Sequence, residues 1–264
     1  MVSCVSIVNA LQSPDIEICG LGHVRVYPNT IEVGNNCVAA RCHVDGTEGD
    51  MIIKCYYRNT PAEELVEYIS YHVNALKIVS LDGVTEYVDV AFMRWVEGDA
   101  LDVILCRGEC DHAQLSRAFD RMALDHKRRG VVHGDVKPEN IIVTPAGEMQ
   151  LVDFDLSPRG NVWGYRAVEY GTSFYIHRNR RIRRTDEYTD DYPLALISIL
   201  LAAMAIDTQC FNECSTMEQN IAVAEKILHE AGDMTHYNIA LAMHRSIMGK
   251  IDELEAMLEC CVKG

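Results

Sequence analysis

The sequence predicts an α+β fold in two parts, a small strand-rich first part with one helix and a larger, mainly helical second part. Three observations carry this. Segments rich in β-branched and aromatic residues crowd the first 95 positions. Apolar residues fall at helical spacing from about residue 111 onward. The run "LALISILLAAMAI", residues 194–206, is apolar all round, as suits a helix buried in a core, and at 13 residues it is too short to cross a bilayer.

Taken in order, "TIEV", "CVAARCHV", "MIIKCYY" and "EYVDVAFMRW" predict strands, with "DGTEGD" as the turn between the second and third. Thr60-Pro61-Ala62-Glu63 is a capping box with proline at the first helical position, so "EELVEYISYHV" is expected to be the one helix among them. Leu115, Ala118, Phe119, Met122 and His126 lie on one helical stripe, and "KRRG" supplies a basic last turn and a terminating glycine. "NIIV" and "MQLVDF" read as short strands around a turn at Gly147. Beyond the apolar run, "MEQNIAVAEKILHEAG" and "KIDELEAMLECCV" predict further helices.

The formal net charge of −15 over 264 residues disfavours nonspecific binding to nucleic acid or to an anionic membrane, both polyanions. Eleven cysteines are an odd number for a disulfide framework, and "MVSCVSIVNA" has no basic region of a secretory leader. Reduced thiols in a cytoplasmic protein are expected. Cys106 and Cys110, like Cys210 and Cys214, lie four apart, but without any CxxC pair zinc is the weaker reading.

Chemistry gathers at "HGDVKPENII", residues 133–142, and "LVDFD", residues 151–155. A hairpin of the two short strands would bring Asn140 and Asp153 together at one end. An amide oxygen plus a carboxylate are hard ligands that suit Mg²⁺. Asp135, just before that pair, is placed to accept a proton from an attacking hydroxyl, and Lys137 to neutralise a transferring phosphate.

These two segments resemble the catalytic loop and metal motif of eukaryotic-type protein kinases. The similarity extends in order from about residue 30 to about residue 205. "MIIKCY" resembles the strand bearing the ATP-anchoring lysine, here Lys54. "FMRWVEGDAL" is similar to the hinge between two lobes, which sets the lobes at 1–95 and 96–264, the second abbreviated. "GTSFY" and "TDDYPLALISILL" resemble the segment closing the activation loop and the start of the organising helix, with Asp190 as its anchor.

The resemblance implies a phosphotransferase using ATP and Mg²⁺ on a protein or peptide hydroxyl. Lys54 would hold the α- and β-phosphates and pair with a helix glutamate, Glu67 or, as the alternative, Glu64. Met93 takes the gatekeeper place, and backbone groups of Arg94 and Val96 would bind adenine. Asp135 would be the base, Lys137 the phosphate contact, and Asn140 and Asp153 the Mg²⁺ ligands.

The departures are specific. The phosphate-covering loop in "VGNNCVAA" keeps only Gly34 of the family's three glycines. Gly134 stands where an arginine usually precedes the catalytic aspartate. Asp155 replaces the glycine of the metal motif, and Asn179 stands in the place of a structural glutamate.

Three readings follow in this order: a Ser/Thr protein kinase, a small-molecule kinase of the aminoglycoside or choline type, and a non-catalytic kinase-like binding module. Lys-Pro after the aspartate and Thr172 favour the first. The run "RNRRIRR", residues 178–184, would favour an acidic or phosphorylated acceptor unless neighbouring acids neutralise it.

Overall fold

The computed structural model describes residues 2–13, 16–34, 36–57, 69–79, 83–156, 165–166, 171–177, 184–185, 187–212 and 214–248. Mixed α and β elements divide into two compact units, Met1–Trp95 and Val96–Gly264.

The first unit opens with helix α1 (Cys4–Leu11), capped by the Ser3 hydroxyl accepting the Ser6 amide. Strands β1 (Ile16–Ile18), β2 (Gly22–Val26), β3 (Glu32–Val33), β4 (Cys37–Val44), β5 (Met51–Tyr56), β6 (Ile69–Val79) and β7 (Thr85–Arg94) follow. They form one antiparallel sheet in the order β2-β1-β6-β7-β5-β4-β3, and β2 pairs with β4 as well. That extra ladder, Val24 to Val44 through Val26 to Cys42, closes six strands into a barrel with β3 attached outside the ring. Closure leaves no open edge along β2.

Strict alternation in β4 puts Val38, Ala40, Cys42 and Val44 into the core. Helix α1 packs against β4 and β6 and adds Ile7 and Leu11 to that core. Both are fully buried, so each stabilises the unit by roughly 2 kcal/mol.

Here the structure corrects the sequence reading. The helix expected over 61–73 does not run its length, because Ile69–Val79 is strand β6, paired antiparallel with β7. Residues 61–68, with the capping box, Glu64 and Glu67, lie outside the described residues. The one described helix of this unit is instead α1. A register shift between His72 and Leu76 breaks the two-residue period of β6. Asp89 holds this bulge, accepting the Asn74 amide at 2.8 Å and the Tyr71 hydroxyl at 2.5 Å, while Asn74 takes a φ of 48°.

The second unit contains β8 (Asp99–Ala100), α2 (Leu101–Arg107), α3 (His112–Arg129), the hairpin β9 (Ile141–Val143) and β10 (Met149–Leu151), and the short pair β11 (Tyr165–Arg166) and β12 (Arg184–Thr185). Then come α4 (Asp191–Ile206), α5 (Met217–Ala231) and α6 (Met234–Met248). Asp111 caps α3 by accepting the Gln114 amide, and Gly130 ends it in the left-handed conformation. The capping box of Thr216 and Gln219 starts α5.

Helix α4 is the apolar run foreseen in the sequence, and it serves two cores at once. Leu194, Ile197 and Leu201 pack with α3 and the hairpin, while Leu196 and Ile199 pack with α5 and α6. Among the described residues, no helix is long and apolar enough to cross a membrane.

Candidate active site

The β9–β10 hairpin pairs Ile141 with Leu151, and the Val152 amide donates to the Asn140 carbonyl at 2.9 Å. Asn140 and Asp153 therefore leave the same end of the hairpin, as its spacing foretold. A 3₁₀ turn from Pro138 to Asn140 aims the asparagine back at the preceding loop. Its Nδ2 donates to the Asp135 carbonyl at 2.9 Å and to Asp135 Oδ2 at 3.3 Å. Asp153 has a φ of 67°, a left-handed conformation that aspartate tolerates better than most residues.

Around Asp135 each carboxylate oxygen has its own donors. Oδ1 accepts the Thr172 amide at 2.7 Å, and Oδ2 lies 2.9 Å from Lys137 Nζ. Lys137 Nζ also donates to Thr172 Oγ1 at 3.1 Å. Close backbone approach makes this possible. A Cβ on Gly171 would sit 2.7 Å from the Gly134 carbonyl and 3.0 Å from Asp135 Oδ1. Gly134 itself has a φ of 88°, a conformation side-chain-bearing residues rarely adopt.

Beneath the loop, the buried carboxylate of Asp190 accepts the amides of His133 and Gly134 at 2.5 and 2.9 Å. His126 Nε2 completes the set at 2.9 Å. Burial alone would raise the Asp190 pKa, but the hydrogen bond and charge of His126 hold it below the usual carboxylate range. One residue on, Asp191 pairs with Lys127, which also donates to the Glu187 carbonyl.

His133 holds backbone on both sides. Its Nδ1 accepts the Asp135 amide at 3.2 Å, so the proton sits on Nε2 and is donated to the Val152 carbonyl at 2.8 Å. Burial pushes its pKa down against the opposing charge of Asp190, and the Phe154 ring packs 4.5 Å away. A neutral, doubly bonded imidazole is a tether between the two motifs.

The other expected site residues fall as follows. Lys54 is buried in β5, opposite Ala39 of β4 and Ala91 of β7, and Met93 is buried opposite Ile52. Gly34 donates its amide to the Cys37 carbonyl at 2.9 Å, and its own carbonyl accepts the Tyr57 hydroxyl at 2.5 Å. Arg94 lies opposite Met51. These four belong to the first unit, and Val96 opens the second. Glu67, the arginines at 178–183 and Asn179 lie outside the described residues.

With the two motifs tied together through His133, and the first of them anchored on Asp190, the comparisons with known proteins become informative. Residues 34–263 match the family model described as a protein kinase domain. The chain belongs to the protein kinase family.

Curated relatives of this kinase chain include a probable serine/threonine-protein kinase KIN1 homolog of Enterocytozoon bieneusi, 33% identical over 36% of the chain and 16% of the relative. CBL-interacting serine/threonine-protein kinase 5 of Arabidopsis thaliana is 26% identical over 50% of the chain and 30% of its own length. CBL-interacting protein kinase 9 of Oryza sativa subsp. japonica is 28% identical over 50% and 33%. The chain thus spans a third or less of these relatives. Helix α1 and strands β1 to β3, of which β1 and β2 belong to the barrel, precede the segment matched to the kinase family.

One contributor escaped the sequence reading: Gly171 carries no signal but its neighbour Thr172. His126 was legible as the histidine of the His-x-x-x-Gly approach in "DHKRRGVVHGD", but its partner was not. Only the fold shows that His126 meets a carboxylate 64 positions later in the chain.

Proposed function

We propose that the chain is a Ser/Thr protein kinase that transfers the γ-phosphate of ATP, with Mg²⁺, to the hydroxyl of a protein or peptide. The observation that carries this is the triangle of Asp135, Lys137 and Thr172, which sets a carboxylate and an ammonium 2.9 Å apart on one half-buried loop. Asp135 Oδ2 takes the acceptor's proton as its oxygen bonds to the γ-phosphorus. The bond from the γ-phosphorus to the bridging oxygen breaks, leaving ADP, and Lys137 steadies the charge on the moving phosphoryl group. Lys137 and Thr172, which are hydrogen-bonded to each other, resemble the residues that frame an aliphatic hydroxyl acceptor, which favours serine or threonine over tyrosine.

The donor set fits magnesium. Asn140 uses its amide N–H on Asp135, which leaves its Oδ1 as an oxygen ligand beside Asp153 at the hairpin end. Bound there, Mg²⁺ would neutralise phosphate charge.

In the first unit, read as the nucleotide lobe over 1–95, Lys54 holds the α- and β-phosphates with Glu67 as partner. Gly34 belongs to the phosphate loop, and Met93 lines the adenine pocket. Adenine is held by backbone groups of Arg94 and, from the catalytic lobe over 96–264, Val96. The ladder supports the Arg94 role. Trp95 and Asp50 form the hydrogen-bonded pair, so the neighbouring Arg94–Met51 pair is non-bonded and the Arg94 backbone groups point away from β5. The arginine run at 178–184 supports an acidic or phosphorylated acceptor. The nine described cysteines are all free, which supports a cytoplasmic setting.

Incubation with γ-labelled ATP and Mg²⁺, followed by phosphoamino-acid analysis of added proteins, tests the reading. Label on serine or threonine supports it. Label on a small alcohol alone would move the assignment to a small-molecule kinase, and no transfer to a binding module.

A further inference from the structure

A cluster in the first unit lies outside the kinase motifs and joins the N-terminal segment to the strand end at Trp95. Arg41, on β4, stacks its guanidinium over Trp95 at 4.6 Å and lies 5.5 Å from the Tyr27 ring. Its Nε and Nη2 both reach Asp50 Oδ2 at 2.7 Å. The other Asp50 oxygen accepts the Tyr27 hydroxyl at 3.3 Å, and His43 Nδ1 lies 3.6 Å from it. The Asp50 backbone carbonyl accepts the Trp95 amide at 3.1 Å.

Arg41 is itself set from its N-terminal side. Its amide donates to Thr30 Oγ1 at 2.9 Å, and Thr30 donates that hydroxyl to the Tyr27 carbonyl at 2.7 Å. The Tyr27 amide donates to the Arg41 carbonyl at 3.0 Å. Residues 27–30 precede the segment matched to the kinase family.

We propose that Arg41 is a positioning residue for adenine: stacked on Trp95 and paired with Asp50, it fixes the backbone of Arg94. The physical ground is planarity. A guanidinium can lie flat on an indole and donate in its own plane to a carboxylate at the same time, and an ammonium cannot. Holding Trp95 by both ring and amide leaves the adjoining peptide of Arg94 a single orientation, so less order is lost when adenine binds. The proposal rests on the nucleotide role given to Arg94 above. It adds that residues outside the kinase match, Tyr27 and Thr30, set nucleotide affinity.

The test compares the full chain with Arg41→Ala and Arg41→Lys, using ATP as substrate and adenosine and inorganic tripolyphosphate as competing ligands. Arg41→Ala should raise the KM for ATP and the inhibition constant of adenosine together, by about tenfold. Tripolyphosphate inhibition and kcat should stay within about twofold, since neither involves the adenine contact. Arg41→Lys, which keeps the charge and loses the flat stack, should shift adenosine in the same direction by about threefold and serves if the alanine variant does not fold. A lower Tm with unchanged adenosine inhibition in either variant would make the cluster purely structural and overturn the proposal. If the wild-type chain neither uses ATP nor binds adenosine, it is the nucleotide reading that fails.

Discussion

Thr172 donates its backbone amide to the Asp135 carboxylate at 2.7 Å, and nothing but a glycine precedes it at position 171. A methyl group there would lie 2.7 Å from the Gly134 carbonyl, a backbone atom that cannot swing aside. Gly171→Ala should therefore push the Thr172 segment off Asp135. A displacement of about 1 Å in such a constellation lowers kcat by about a hundredfold. Steady-state kinetics beside a thermal melt checks this, with Tm nearly unchanged and ATP KM unmoved.

Gly134 leads to a second expectation. The residue before Asp135, the proposed base, has no side chain, so it can make no ion pair with a phosphorylated loop. Activity should survive exhaustive phosphatase treatment. The φ of 88° at Gly134 also means that Gly134→Arg should not create phosphate dependence, because the substituted backbone is strained. An enzyme silenced by phosphatase would show that another cation reads the phosphate.

Asp190 is the buried acceptor on which the loop rests. Asp190→Asn removes the charge that pairs with His126 and weakens the bonds to two amides, a loss of about 3 kcal/mol. Its pH dependence has a definite sign. The folded-state pKa is depressed, so the contribution is present above the unfolded value of about 3.9 and is lost as pH falls through the lower folded value. Urea unfolding should show a constant gap between wild type and Asp190→Asn from neutral pH down to mildly acid, narrowing only below about pH 4.

How much of this was legible in the sequence follows from the range of each interaction. The hairpin, α3, α4 and α5 are set by local period and by caps a few residues away, so they could be read directly. "ISYHVNALKIV" could not. Ile69 and Leu76 fit a helical stripe as well as a strand, and the choice falls to the ladder with β7, a partner the segment itself does not name. The barrel closure was hidden for the same reason, since β2 pairs with β4 as well as with β1, and neither segment names its partners. Helix α1 was missed, although its serine cap and the spacing of Ile7 and Leu11, four apart, are local signals. At the site, residue types pointed to Asp135, Asn140 and Asp153, while the supports beneath them, His126 and Gly171, depend on contacts made far along the chain.

A second titration runs the opposite way. His236, on α6, lies 3.0 Å from Asp120 of α3 and 2.7 Å from Asp233, and Ser198 of α4 donates to Asp120 from the other side. Burial would lower the His236 pKa, but the two carboxylates outweigh it and raise the value. Its contribution is therefore full below the unfolded value of about 6.5 and is lost as pH rises through the folded value. Melts should show Tm falling over that alkaline interval in the wild type, and His236→Gln should abolish the slope. A slope that persists in the variant would assign it to another group.

The most direct test of the central claim is a paired measurement on Asp135→Ala: phosphoryl transfer from γ-labelled ATP, and ATP affinity with Mg²⁺ by calorimetry. In the role proposed for it Asp135 touches the acceptor and not the nucleotide, so transfer should fall by at least about a thousandfold while ATP affinity stays within about twofold. Transfer that survives the substitution, or ATP binding lost in step with it, would contradict the assignment of Asp135 as the base.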